Sequence, residues 1–75
     1  MKLETVLGEV FSLAPEKIYD SLNLQTIEAW DSMTHMVMII RLEEAFEIQF
    51  SGDEIADIRS IGDIRKILKE KGKGE

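Results

Sequence analysis

The sequence predicts an all-α domain: a four-helix bundle with a long loop between helices one and two and a short third helix. Three observations carry this. Apolar residues recur at the 3.6-residue helical period in separate stretches of the chain. Helix-start signals stand at Asp31, at Ser51-x-x-Glu54 and at Ser60-x-x-Asp63. No Val-, Thr- or Tyr-rich alternating run occurs, so nothing asks for a strand. The 75 residues, against about 150 for an average domain, allow one small domain over residues 1–75.

Each element has its own justification. Leu3, Val6, Leu7, Val10 and Phe11 fall at i, i+3, i+4, i+7 and i+8, the buried stripe of a first helix that Pro15 is expected to stop. Between residues 13 and 31 the apolar residues Ile18, Leu22, Leu24, Ile27 and Trp30 keep no period for long, which predicts a loop packing its side chains inward. Loops of that length in compact domains usually serve function. Asp31 then caps a helix over residues 32–48. Stepping about 100° per residue puts Met36, Ile39, Leu42 and Phe46 on one face and Met33, Val37, Ile40, Glu44 and Glu47 on another. The second face is the odd one, because its apolar residues lie outside the core stripe. Ser51 opens a short helix through Ile55 and Ile58, and Ser60 opens a last one whose Ile61, Ile64, Ile67 and Leu68 are its core side. Residues 70–75, with two glycines among charges, are expected to fray.

Composition removes whole classes of function. Fifteen acids against nine bases leave a net charge of −6, which argues against nucleic acid as a partner. Residues 31–58 hold seven acids and one base, so self-repulsion is expected there, relieved by salt or by a cation between Glu43, Glu47 and Asp53. No resident metal is expected, since the Ca²⁺-loop pattern is missing around Asp53. With no Cys there is no disulfide, thiolate metal site or cysteine nucleophile, and any thiol must be imported. Glu4 and Glu9 interrupt the place of a leader's apolar segment, and the longest apolar run, residues 36–40, is far short of a membrane span. A soluble, cytoplasmic, monomeric protein is the expectation.

Catalysis finds few candidates. Asp31, Ser32 and His35 share one helical turn and cannot form the line of nucleophile, base and orienter that a triad needs. His35 reads as a partly exposed polar residue near the helix start rather than a base or ligand. A non-enzymatic protein is expected. What stands out is Ser32, a hydroxyl in the first turn of a helix, after an acid and at the end of the long loop. Its plain reading is an ordinary cap; its functional reading is a site of modification, with Asp31 free to do the capping.

Glu28-Ala29-Trp30-Asp31-Ser32-Met33, the helix from Met36 through Glu43-Glu44-Ala45-Phe46 to Ile48, Asp53-Glu54-Ile55 and Ser60-Ile61-Gly62-Asp63-Ile64 together resemble the acyl carrier proteins over nearly the whole chain. The resemblance implies that Ser32 receives 4′-phosphopantetheine from coenzyme A, that Asp31 caps the helix and is recognised by the phosphopantetheinyl transferase, and that a terminal thiol holds acyl groups as thioesters. It also implies transient contacts with acyl-loading and acyl-processing enzymes. A helix N-terminus, with about half a positive charge, suits the phosphodiester that modification leaves on Ser32.

Two departures bear on subclass and partners. Asp20-Ser21-Leu22 matches the family's Asp-Ser-Leu tripeptide literally, whereas Asp31-Ser32-Met33 has Met in third place; only Ser32 precedes an apolar stripe and Glu43-Glu44 at the family's distance. Met at that position is also met in aminoacyl-type carriers such as D-alanyl carrier proteins. Thr34 and Val37 stand where fatty-acid carriers tend to place acids. Met33, Val37 and Ile40, ending in Glu44 and Glu47, then read as a docking surface with an apolar centre and an acidic edge, although Val37 fits the core as well. Trp30 reads as a loop anchor packed on the bundle. The expected function is an acyl carrier in fatty acid, polyketide or other specialised biosynthesis; the alternatives are an aminoacyl or D-alanyl carrier and an unmodified acidic helical adaptor.

Overall fold

The computed structural model describes residues 2–73. Its helices are α1 (Leu3–Phe11), α2 (Ser32–Phe46), α3 (Gly52–Asp57) and α4 (Ile61–Glu70), and among the described residues there is no strand. The four predicted helices are present with the predicted short third one. Leu3, Leu7, Met38, Leu42, Ile61 and Ile64, all with essentially no exposure, form the centre where α1, α2 and α4 meet.

α1 ends differently from expectation. Ser12 turns into the left-handed region at φ 56°, and the N–H groups of Ser12 and Leu13 both donate to the Gly8 carbonyl. A Cβ on residue 8 would lie 2.8 Å from the Leu13 carbonyl oxygen, so glycine is what lets the chain fold back there. Pro15 therefore does not stop the helix; it opens a 3-10 turn, Pro15–Lys17, four residues later. A second such turn covers Leu24–Thr26.

The connection between α1 and α2 is long because its backbone is bound elsewhere. Leu24 N–H donates to the Arg59 carbonyl, Ile61 N–H to that of Leu22 and Gly62 N–H to that of Asp20, at 2.8–3.1 Å. The start of α4 thus satisfies a segment that has no ladder or helix of its own. The side chains of Ile18, Leu24 and Ile27 are buried as predicted, with Leu22 and Trp30 partly so. Arg65 of α4 clamps the same region, donating to Asp20 at 2.8 Å and to Glu4 of α1 at 2.6 Å.

α2 corrects the predicted face assignment. Met38, Ile39, Leu42 and Phe46 are buried, whereas Met36, predicted to join them, is 45% exposed. Counting from Leu42, Met38 lies only about 40° away around the helix and Met36 about 120° away. The helix stops at Phe46 rather than Ile48. Glu47 takes φ 54°, the N–H groups of Glu47 and Ile48 both meet the Glu43 carbonyl, and the Glu43 carboxylate accepts Phe50 N–H at 2.9 Å. Glu43 is thereby engaged, and no group of acids able to hold a metal exists among the described residues, so the expected cation site at Glu43, Glu47 and Asp53 is not formed. At the other end of the chain, Lys71, Gly72 and Lys73 donate N–H bonds back to Ile67, Lys69 and Leu68. Of the residues expected to fray, 74 and 75 lie outside the described ones.

Candidate functional site

The start of α2 is built by a reciprocal cap. Asp31 Oδ1 accepts the Thr34 N–H at 2.8 Å, and Thr34 Oγ1 accepts the Asp31 N–H at 2.7 Å. The Thr34 amide first, and then the Thr34 hydroxyl, which donates to Oδ1 at 3.1 Å, hold the Asp31 carboxyl below its ordinary value. Ser32 is consequently left out of the capping: it occupies the first helical position, is exposed, and its hydroxyl makes no hydrogen bond among the described residues.

The other Asp-Ser pair is used structurally. Asp20 is bonded through both its carboxylate and its carbonyl to α4, and Ser21 sits in a turn followed by only the short 3-10 turn Leu24–Thr26. The 100°-per-residue pattern already favoured Ser32, and the anchoring of Asp20 was not visible from the local sequence.

Around Ser32 the outward face of α2 is apolar. Met33 is 77% exposed, Ile40 52% and Val37 43%, and Met36 joins them. Val37 therefore belongs to the surface and not to the core. Glu44 and Glu47 are exposed at the far end. Arg41 points away toward α1, where it meets Glu9 at 3.0 Å. Thr34, read from the sequence as a missing acid on the docking face, is half-buried and occupied in the cap.

Two residues do more than the sequence suggested. Trp30 Nε1 donates to His35 Nδ1 at 3.2 Å, and the rings stand edge-on with centroids 5.8 Å apart. An indole can only donate, so Nδ1 is the acceptor, the imidazole proton is on Nε2, and Nε2 donates to the Ile55 carbonyl at 3.2 Å. His35 thus ties the loop to α2 and α3. Its place in the series His35, Ile39, Leu42, Phe46, at i, i+4, i+7 and i+11, was the available signal that it faces inward.

A small helical bundle that presents an unengaged hydroxyl at a helix N-terminus has the build of a carrier domain. The family described as phosphopantetheine attachment site matches residues 2–68, and the chain belongs to that family. Its members carry a 4′-phosphopantetheine prosthetic group and meet modifying and biosynthetic enzymes transiently. The site fits such a group, since Ser32 is exposed, needed by no cap, and stands at the positive end of a fifteen-residue helix. Among the described residues no helix is long and apolar enough to cross a membrane.

Proposed function

We propose that this protein is an acyl carrier whose Ser32 takes 4′-phosphopantetheine from coenzyme A. The observation that carries the reading is the division of labour at the start of α2, where Asp31 and Thr34 close the cap between them and the neighbouring hydroxyl stays free. When bound, the prosthetic group supplies a terminal thiol that holds an acyl group as a thioester. Asp31 keeps the first turn rigid and gives the transferase a fixed carboxylate beside the hydroxyl it modifies. The chain itself catalyses no step, works as a monomer, and acts in the cytoplasm where coenzyme A is at hand.

Met33, Val37 and Ile40, with Met36 added and Glu44 and Glu47 at the edge, are the surface we assign to the transferase and to the loading and processing enzymes. An apolar centre of this kind sets residence time, and the rim acids set association rate and salt dependence. The apolar first turns and Met33 support a specialised pathway, or an aminoacyl or D-alanyl cargo, over primary fatty acid synthesis. Intact mass after incubation with coenzyme A and a broad-specificity transferase tests the reading. Ser32→Ala should lose the phosphopantetheine increment and Ser21→Ala should keep it. Loss in Ser21→Ala alone would move the site, and no increment in the unaltered chain would favour the unmodified adaptor.

A further inference from the structure

The chain has no Cys, so all of its sulfur is in Met1, Met33, Met36 and Met38. Three of these lie on α2, and the fold exposes them unequally: Met38 not at all, Met36 to 45% and Met33 to 77%. Met38 belongs to the core. The other two face outward beside the attachment point, Met33 directly after Ser32 and Met36 one turn beyond it at i+4. Met33, Met36, Val37 and Ile40 are linked by spacings of three and four, so they make one continuous apolar patch. The half of it nearest Ser32 is thioether.

Leucine would cover the same area, since Met and Leu are close in volume. A thioether differs in that it can be oxidised. A peroxide delivers one oxygen atom to the sulfur lone pair: the O–O bond breaks, an S–O bond forms, the sulfur is oxidised by two electrons as the peroxide is reduced, and the second oxygen leaves as water with both peroxide protons. The product, methionine sulfoxide, is polar and accepts hydrogen bonds. At Met33 and Met36 it costs the fold little, because both side chains already stand in water. It costs docking more, because a partner closing over the patch must strip water from a polar oxygen to which an apolar contact offers no donor. Val37 and Ile40 have no such chemistry.

We propose that Met33, with Met36 as the second position, is an oxidation site at which a peroxide turns the docking face beside Ser32 from apolar to polar and so withdraws the carrier from its enzymes while its fold stays intact. The proposal rests on the reading of Ser32 as the attachment site and of this face as the docking surface. Met38, on the same helix, is the shielded counterpart, whose sulfur reacts only when the domain opens.

The test treats the full chain, before loading, with hydrogen peroxide, removes the peroxide with catalase, assigns each sulfoxide by peptide mass mapping, and measures loading from coenzyme A by a broad-specificity transferase. Met33 should oxidise first, Met36 next, and Met38 at least about tenfold more slowly than Met33. With sulfoxide at Met33 and Met36 the chain should keep its helical circular dichroism and its urea midpoint, while kcat/KM for loading falls about tenfold. Methionine sulfoxide reductases, one for each sulfoxide epimer, should restore loading as a dithiol becomes a disulfide and the oxygen leaves as water. In Met33→Leu combined with Met36→Leu, peroxide should leave that variant's own loading rate where it was before treatment, although Met1 and Met38 are still present. Equal oxidation of Met33 and Met38, undiminished loading with both outward sulfurs oxidised, a loss that the reductases do not reverse, or the same loss in the doubly substituted variant overturns the proposal. Absence of loading in the untreated chain overturns the carrier reading instead, so the two failures are distinguishable.

Discussion

Glu4 in the first turn of α1 and Arg65 on α4 meet at 2.6 Å across 61 positions of sequence, and the same guanidinium reaches Asp20 at 2.8 Å. One side chain therefore holds together the first helix, the last helix and the long connection. The pair with Glu4 is about three-quarters buried on both sides, whereas Asp20 is 63% exposed, so the first contact should dominate. Arg65→Leu should cost roughly 1 kcal/mol and lower the melting temperature by about 4–8 °C. Glu4→Gln added to Arg65→Leu should cost little more, and a thermal double-mutant cycle reads that coupling.

Glu4, Asp31, Glu54 and Asp63 are each held below their ordinary carboxyl values, foremost by a backbone N–H at a helix start. Lys71, 3.1 Å from Glu54, adds to this. Because the folded values lie below the unfolded ones, near 4.5 for Glu and 3.8 for Asp, the folded state binds fewer protons in that range. The stabilisation is complete above the unfolded values and is lost as pH falls through the folded ones. Relief of the net charge of −6 on acidification works the other way. In ~0.5 M salt, where screening reaches within a few ångströms, the urea midpoint should hold from neutral pH to about 5 and fall steadily below it. A midpoint that rises on acidification at that salt contradicts the assignment. At neutral pH the same salt should raise the midpoint by screening the acidic segment.

The corrected face of α2 gives a sharp pair of variants. Met38 has no exposure and Met36 is 45% exposed. Met38→Ala should cost about 2–5 kcal/mol, a large share of the stability of so small a domain. Met36→Ala should stay within about 0.5 kcal/mol. Urea unfolding of the two variants, side by side, settles which methionine belongs to the core.

Partner choice is testable through Thr34 and Val37. Val37→Glu with Thr34→Asp should improve use by enzymes of fatty acid elongation and impair use by the chain's own loading enzyme. Thr34 Oγ1 lies 3.1 Å from Asp31 Oδ1, so an aspartate at residue 34 would set a second carboxylate against the cap, and Val37→Glu alone is the control that changes the exposed face without touching it. Each exposed charge pair gained should be worth no more than ~1 kcal/mol, a factor of about five in catalytic efficiency. If the unaltered chain already serves an elongation enzyme as well as a standard carrier does, the specialised reading gives way to the ordinary one.

The sequence by itself determined the features that close within a turn or two of helix. Asp31, Ser51 and Ser60 begin their helices with both halves of a reciprocal cap in place, since a side chain reaches the amide three residues on whatever the rest of the chain does. The stripes of α1 and α4 were equally legible, because one unambiguous apolar row leaves a helix a single way to turn toward the core. α2 was not, for it is apolar on most sides, and only its neighbours decide that Met38 turns in and Met36 out. The path of the connection from α1 to α2 was decided in the same way. Its backbone bonds run from Asp20, Leu22 and Leu24 to Arg59, Ile61 and Gly62, about forty residues apart, and no local pattern encodes a pairing that exists only once α4 has docked. The bridge from Trp30 through His35 to Ile55 is of this kind too, since the role of an imidazole depends on which donor and which carbonyl the packing brings within reach of its two nitrogens.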